Sequence, residues 1–258
     1  MHVAIDGVYF GGGRSAEEFV ALAAASGGTA VNWPLKAGYA DPGDPASWDS
    51  CAAMLGSAGL SVSSLAAFSQ NSAIPGQEEA FRAEVAQGVL AARVLGCRVI
   101  DCWPRREAGV SKADSQAVLL ANIRAVAGLL EAADMVISFE FEPDTTVERY
   151  AESLEFLAPL PAVARLTADT YHVNRAGDDL LAAAEAMQRR FGILHISGSH
   201  RGEPGSEGDT CDHEGFVRAA RRAGYSGDLV LQYAPPAEVG ESLQRAVKLC
   251  RGIVERTV

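Results

Sequence analysis

No CxxC pair occurs in this chain: its cysteines fall at 51, 97, 102, 211 and 250, an odd number at wide spacings. With no secretory signal, that pattern argues for reduced thiols in a cytoplasm, most of them acting as small buried apolar groups. Long apolar runs are also missing, since no stretch reads as the roughly 20 consecutive residues that span a bilayer. The start, MHVAIDGVYF, has neither the basic residues nor the apolar run of a signal peptide and reads as a strand. Basic clusters are scarce. The 22 Lys and Arg are outnumbered by 33 Asp and Glu, for a net charge of −11. The pairs Arg105-Arg106, Arg189-Arg190 and Arg221-Arg222 read as solvated surface. Such a surface repels phosphate backbones, so neither nucleic acid nor a membrane is the expected partner. Low-complexity segments and linkers are absent as well. With 48 % apolar and 21 % charged residues, the chain reads as globular throughout, one domain over 1–258.

What is present is one alternation repeated from end to end. Short β-rich runs occur at 2–10, 29–33, 60–68, 98–103, 135–142, 164–172, 193–200 and 228–234. Between them, stretches rich in Ala, Glu, Arg and Leu carry helical spacing at 15–26, 46–58, 77–95, 112–133, 147–158, 177–190, 213–223 and 237–255. Ser15 with Glu18 forms a capping box, Asp212 precedes another helix, and Gly59, Gly96 and Gly224 stand where helices should stop. Eight strand–helix units in 258 residues leave about 32 per unit, the economy of a closed (β/α)8 TIM barrel. A doubly wound open sheet is the competitor. Its phosphate fingerprint is not there, because Gly11-Gly12-Gly13 lacks GxGxxG spacing and reads as a βα loop.

Active sites of parallel α/β folds form at the C-terminal ends of strands, so the residues ending each strand carry the functional reading. The first four strands end in Tyr9-Phe10, Asn32-Trp33, Ala67-Phe68 and Cys102-Trp103. The last four end in titratable and ligand groups: Glu140 and Glu142, Asp169 and His172, His195 through His200 and Arg201, and Gln232. Side chains two apart share a strand face, so Glu140 and Glu142 point the same way and need a cation or a shared proton. A metal held by Glu142, Asp169, His195 and Gln232 meets that need with three oxygens and one imidazole nitrogen. This donor set suits Mn²⁺, Mg²⁺ or Co²⁺, with Zn²⁺ as a further option. Each residue alone has a plainer role open to it: Asp169 as a loop cap, His195 as a satisfied core histidine, Glu142 as the partner of an arginine. Four consecutive strands ending in ligand types favour the metal. Glu140 reads either as a buried ion-pair member, with Arg165 or Arg98 as partner, or as an extra acid–base group. Trp33, Trp103, Phe68 and Tyr9 stand where aromatics wall a pocket or pack under a loop. Glu203 is placed to reach the mouth or to be solvated. Cys102 has no partner histidine at its strand end and does not read as a nucleophile.

At these same residues the chain resembles the xylose-isomerase-like barrels, which include sugar isomerases, epimerases and apurinic endonucleases. The likeness covers the whole chain and is carried by Glu142-Pro143, by Asp169 with His172 three later, and by His195 with Arg201 in HISGSHRGEPGSEG. In the keto-sugar epimerases of that family the ligands are Glu, Asp, His and Glu from strands five to eight. The resemblance therefore implies Glu142, Asp169 and His195 as ligands, Glu142 also as a base, and His172 and Arg201 as binders of substrate oxygens. It implies one divalent ion, Mn²⁺ foremost, a small polyhydroxy carbonyl substrate, and pairing into a homodimer or homotetramer. The trinuclear zinc centre of the endonuclease branch needs further histidines, and only five exist here.

The departure is Gln232, where the epimerases carry a second carboxylate. An amide offers a carbonyl oxygen to a metal but takes up no proton at neutral pH. Epimerisation across a planar enediolate wants two bases. With Glu140, His172 or His200 the stand-ins for the second, an isomerase or epimerase working by α-proton abstraction remains the leading expectation. A lyase or dehydratase that eliminates beside a carbonyl needs only one carboxylate base, with His172 or His200 as general acid. A non-catalytic metal- or sugar-binding subunit is the expectation of another class.

Overall fold

Eight strands and the helices between them appear in the expected order. In the computed structural model, which describes residues 1–66, 69–143 and 145–257, the chain runs β1 (Val3–Asp6), α1 (Ala16–Ala25), β2 (Ala30–Pro34), α2 (Ala46–Ser57), β3 (Ser61–Ala66), α3 (Glu78–Leu95), β4 (Val99–Cys102) and α4 (Lys112–Ala133). It continues through β5 (Val136–Glu140), α5 (Tyr150–Leu157), β6 (Ala164–Asp169), α6 (Thr170–Arg175), α7 (Leu180–Met187), β7 (Phe191–Ile196), α8 (His213–Arg222), β8 (Leu229–Leu231) and α9 (Val239–Arg256). Every strand pairs in parallel with the next, and β8 returns to β1, with Val3 opposite Leu229, so the sheet closes. The architecture is a (β/α)8 barrel. Ala67 and Phe68, the expected end of the third strand, lie outside the described residues, and with them the reading of Phe68 as a pocket wall.

Helices form where apolar residues recur every three or four positions and turn that stripe toward the sheet. Phe81, Val85, Val89 and Ala92 do this on α3, and Leu243, Ala246, Val247 and Cys250 on α9. Ser15 and Glu18 make the capping box at α1, the Asp212 side chain accepts from the Gly215 amide at α8, and α3 stops at Gly96. Gly96 has φ +76°, a conformation that costs any residue with a Cβ. One expectation is corrected at α4, which on length and composition alone is long and apolar enough to cross a membrane. Here it lies beside α3 and β5, burying Leu119, Ile123, Val126 and Leu130 at helical spacing.

The barrel interior positions the site. Its apolar floor is Ala4, Ala30, Ile193 and Val230, with Val99 packed against them. Two residues further along the strands the lining turns polar: Asp6, Asn32, Asp101, His195 and Gln232 are buried. Asn32 on β2 reaches Asp101 on β4, and Thr167 on β6 also reaches Asp101. Contacts between strands that are not neighbours cross the lumen. Barrel interiors are ordinarily filled by branched apolar side chains, so this polar fill marks the half of the barrel that does something other than pack.

Candidate functional site

Alternation along β5 explains the depth of its two glutamates. The ladder to β6 ends with Glu140 opposite Thr167, and Glu140 is buried. Glu142 lies beyond the strand, half-buried at the mouth. The expected strand end at Glu142 is thus two residues too late, and the two carboxylates occupy different levels. Glu140 Oε1 lies 2.9 Å from His195 Nδ1, and that nitrogen lies 3.9 Å from Asp169 Oδ2. Glu140, Asp169 and His172 also present ligand atoms within 4.8 Å of one another, all buried. Neither arginine expected as the partner of Glu140 is near it: Arg98 pairs with Asp134 at the surface, and Arg165 donates to the Phe191 carbonyl.

Register brings Asp169 and His195 opposite each other at the ends of β6 and β7. Asp169 is also the N-cap of α6. Its Oδ1 accepts from the Tyr171 amide at 2.7 Å, which leaves Oδ2 to Arg201 Nη1 at 2.5 Å. The segment 170–172, expected as strand, is therefore the first turn of a short helix, and that turn aims His172 back over the site. His172 Nε2 lies 2.8 Å from Glu142 Oε2, while Trp103 Nε1 donates to Glu142 Oε1 at 2.7 Å. Glu142 is held between an imidazole and an indole.

Arg201 comes from the β7–α8 loop. Its amide closes a turn onto the Gly198 carbonyl, and its φ is +64°, a left-handed conformation costing a non-glycine residue roughly 1–2 kcal/mol. The strain delivers a guanidinium that donates to Asp169, to Gln232 Oε1 at 2.8 Å and to the Tyr9 hydroxyl at 2.9 Å. Tyr9 is placed from below. Asp6 Oδ1 accepts from the Val8 and Tyr9 amides at 2.9 and 2.7 Å, and Gly7 passes so close to β2 that a Cβ would meet Pro34 Cδ at 2.5 Å.

The same loop is tied by Asp209, which accepts from the Ser199, Gly205 and Cys211 amides and from His213 Nε2. Asp209, Cys211 and His213 form a second cluster of ligand types, but these four donors already occupy the carboxylate, so the cluster organises the loop. Burial opposes the Asp209 charge, yet the His213 bond and the backbone donors hold it far below the usual carboxylate range. A depressed folded pKa means that the stabilisation is present above the unfolded value of about 3.9 and is lost as pH falls toward the folded one. Asp209→Ala is expected to cost about 3 kcal/mol, lowering Tm by about 6–12 °C. The gap between variant and wild type in thermal unfolding should narrow from pH 5 to pH 2. A gap that stays constant over that range refutes the assignment.

Charge within the site is arranged in opposed pairs. Burial works against the Asp169 carboxylate, but Arg201, with His172 and His195 behind it, keeps it below the usual range. Burial also disfavours a charged His195, and Glu140, then Asp101 and Asp169, outweigh it and lift the ring to about 9. For His172 burial is again opposed, by Asp169, Glu142 and Glu140, and the net direction is up. Glu142 shifts down despite burial because His172 and Trp103 bond to it. Buried carboxylates meeting imidazoles, with a neutral amide oxygen beside them, fit a divalent cation of hard or borderline character.

A pocket of about 460 Å³ opens above this cluster, lined by Val8, Tyr9, Trp103, Glu140, Glu142, His172, Arg201 and Gln232. Of the expected substrate contacts, Trp103, Glu140, His172 and Arg201 are there. Two are not. Trp33 is fully buried between Phe19 and Tyr39, because its strand turns it outward into the helical layer. His200 is exposed on the loop, its Nε2 3.2 Å from Ser206 Oγ. Glu203 pairs with Arg245 on α9, and Cys102 is buried with its thiol pushed up by desolvation. Sequence reading passed over Asp6 and Asp101, and named Asn32 only as part of a strand end. The available signal was an acid or amide within short strands that are otherwise apolar, VAID, AVNWP and VIDC.

Hydroxypyruvate isomerase of Escherichia coli (strain K12) is 28 % identical over 170 residues, covering 63 % of this chain and 65 % of that protein. Ketose 3-epimerase of Arthrobacter globiformis is 28 % identical over 145 residues, covering 52 % and 48 %. The chain thus spans about half to two thirds of the length of these curated relatives. Among solved structures, the IOLI protein with a bound zinc atom superposes with a TM-score of 0.77 at 13 % identity, covering 100 % of this chain and 98 % of that one. D-allulose 3-epimerase from Methylomonas sp. in complex with D-allulose gives 0.79 at 18 %, covering 100 % and 97 %. At such identities the structural likeness speaks for the fold. The model of the xylose isomerase-like TIM barrel family matches residues 20–249, most of the chain. The protein belongs to that family.

Proposed function

We propose that the protein is a divalent-metal-dependent isomerase or epimerase of a small polyhydroxy ketone or aldehyde, working by proton abstraction next to the carbonyl. The observation that carries this reading is the pairing of Glu142 with His172 at the pocket wall, directly above the buried Glu140, Asp169 and His195. Curated relatives named as a hydroxypyruvate isomerase and a ketose 3-epimerase support an α-hydroxy carbonyl substrate.

Glu140, in place of the Glu142 expected from the sequence, would hold the ion together with Asp169 and His195, because Glu140 is the carboxylate buried against both. Gln232 would be the fourth donor, and Mn²⁺ is the first candidate ahead of Mg²⁺, Co²⁺ and Zn²⁺. A divalent ion there supplies Lewis-acid polarisation of substrate oxygens, worth several kcal/mol of barrier. Glu142, kept ionised by its partners, takes the proton from the carbon beside the carbonyl. His172, 2.8 Å away, carries the proton that the substrate oxygen or the neighbouring carbon receives. Arg201 faces the oxygen on which negative charge develops and is fixed by Asp169, Gln232 and Tyr9, so it needs no reorganisation during the reaction. Tyr9, Trp103 and Val8 give the substrate an apolar wall. The neutral Gln232 amide, held by Arg201, favours single-base chemistry, and so keeps elimination from a keto-sugar, keto-inositol or keto-glycoside as the second reading.

Elemental analysis of protein purified without chelator, wild type against His195→Ala, tests the metal, with turnover then screened on hydroxypyruvate, ketoses, inososes and keto-glycosides. Near-stoichiometric metal in the wild type and its loss in the variant are expected. Failure to retain any metal after repletion with excess Mn²⁺ overturns the proposal and leaves a polar binding site.

A further inference from the structure

Beneath the candidate ion position lie two carboxylates that the chemistry above does not use. Asp6 is fully buried and Asp101 is 3 % exposed. Isolated buried carboxylates are costly, and these are spoken for by the lumen itself. Asn32 Nδ2 bridges them, 3.2 Å from Asp6 Oδ2 and 3.4 Å from Asp101 Oδ2, while Thr167 Oγ1 donates to Asp101 Oδ1 at 3.2 Å. The Asp101 carboxylate is thus oriented from both sides. What it faces is His195 Nε2, at 3.8 Å.

That nitrogen is buried and, among the described residues, has no hydrogen-bond partner. The other ring nitrogen, Nδ1, faces Glu140 at 2.9 Å and Asp169 at 3.9 Å, the side on which an ion would sit. A neutral imidazole has one N–H and one lone pair, and only the lone-pair nitrogen ligates a cation. We propose that Asp101 is a positioning residue: it accepts a hydrogen bond from His195 Nε2–H, directly or through one water, keeps the ring proton on that nitrogen, and so commits the Nδ1 lone pair to the ion between Glu140 and Asp169. The inference rests on the metal reading given above. A 3.8 Å separation is the range a single water or a small carboxyl rotation closes. Hydrogen-bonding partners behind a metal-binding imidazole fix its tautomer and raise its basicity, and their loss weakens metal binding 10- to 100-fold.

The experiment uses the chelator-stripped protein, wild type, Asp101→Ala, Asp101→Asn and, as a control, Ser64→Ala, the buried residue of β3 that stands opposite Asn32. Zn²⁺ and Mn²⁺ are titrated into each, and the ¹⁵N-labelled histidine rings of the zinc-loaded forms are observed by NMR, His195 being assigned by its loss in His195→Ala. The wild type should show a His195 ring with a protonated, exchange-protected Nε2 and a metal-bound Nδ1. Asp101→Ala should lose that protected proton and bind both metals about 10- to 100-fold more weakly. Asp101→Asn, which keeps an acceptor oxygen, should fall between, and Ser64→Ala should bind as the wild type does. Affinity in Asp101→Ala within twofold of wild type overturns the inference and leaves the metal reading standing. A wild type that takes up neither metal overturns the metal reading instead. Should Asp101→Ala not fold, the wild-type ring decides: Nδ1 protonated and Nε2 bound refutes the role of Asp101.

Discussion

Glu142→Gln is expected to keep its metal and lose about 10²- to 10⁴-fold in kcat, whereas Glu140→Gln is expected to lose both metal and turnover. The two carboxylates stand two residues apart, yet the end of β5 falls between them and gives them different surroundings. Glu140 is buried against the His195 ring and shares the cluster with Asp169. Replacing its charge by an amide would remove one of the two anionic ligands proposed for the ion and leave His195 facing a neutral group. Glu142 sits at the mouth with one oxygen held by Trp103 and the other by His172. Its glutamine keeps the shape and can still accept the indole bond, but cannot take up a proton. Metal content and steady-state kinetics on the two variants separate the roles. The opposite pattern, with metal lost from Glu142→Gln and retained by Glu140→Gln, would sink the division of labour. A Glu142→Gln protein that turns over normally would remove Glu142 from the chemistry altogether.

Particular residues show why the barrel was legible and the site only half so. Strand–helix alternation is a long-range periodic signal, and caps such as Ser15 with Glu18 are local chemistry that reads the same in any context. Strand ends are neither. Phe139-Glu140-Phe141-Glu142 alternates without a break, so nothing in the residues says that pairing with β6 stops at Glu140. Asp169 carries two roles at once, strand terminus and helix cap, and the cap diverts the chain into α6 where a continued strand was expected. Trp33 and Tyr9 are both aromatics near strand ends. Only the closed barrel decides that one faces the helices while the other, aimed by Asp6 and Gly7, meets Arg201. The roles of Asp6, Asn32 and Asp101 were hidden for the same reason, because a polar residue in a short buried strand acquires meaning only when the lumen brings it to its partners.

Gln232→Glu should tighten Mn²⁺ binding by at least tenfold and raise epimerisation relative to isomerisation on the same substrate. In the native chain the amide oxygen accepts from Arg201 Nη2 at 2.8 Å, and the position contributes no charge to the donor set. A glutamate there would add an anionic donor next to Asp169 and Glu140, and its bond to Arg201, already charge-assisted by the guanidinium, would become a full ion pair. Two consequences oppose each other. The extra charge favours the ion, while a stronger clamp on Arg201 draws the guanidinium away from substrate oxygens, so KM should rise as metal affinity improves. On the chemical side, a second carboxylate just beyond β8 would face the reacting carbon from a wall other than that of Glu142, and a proton could then leave one face and return to the other. In ²H₂O the native enzyme should give isomerised product, with label entering from one face only. The variant should give label and inverted configuration at the carbon next to the carbonyl. Metal affinity that does not change, together with an unchanged product ratio, would mean that residue 232 neither ligates nor limits the stereochemistry, and the single-base account of this barrel would have to rest on a different residue.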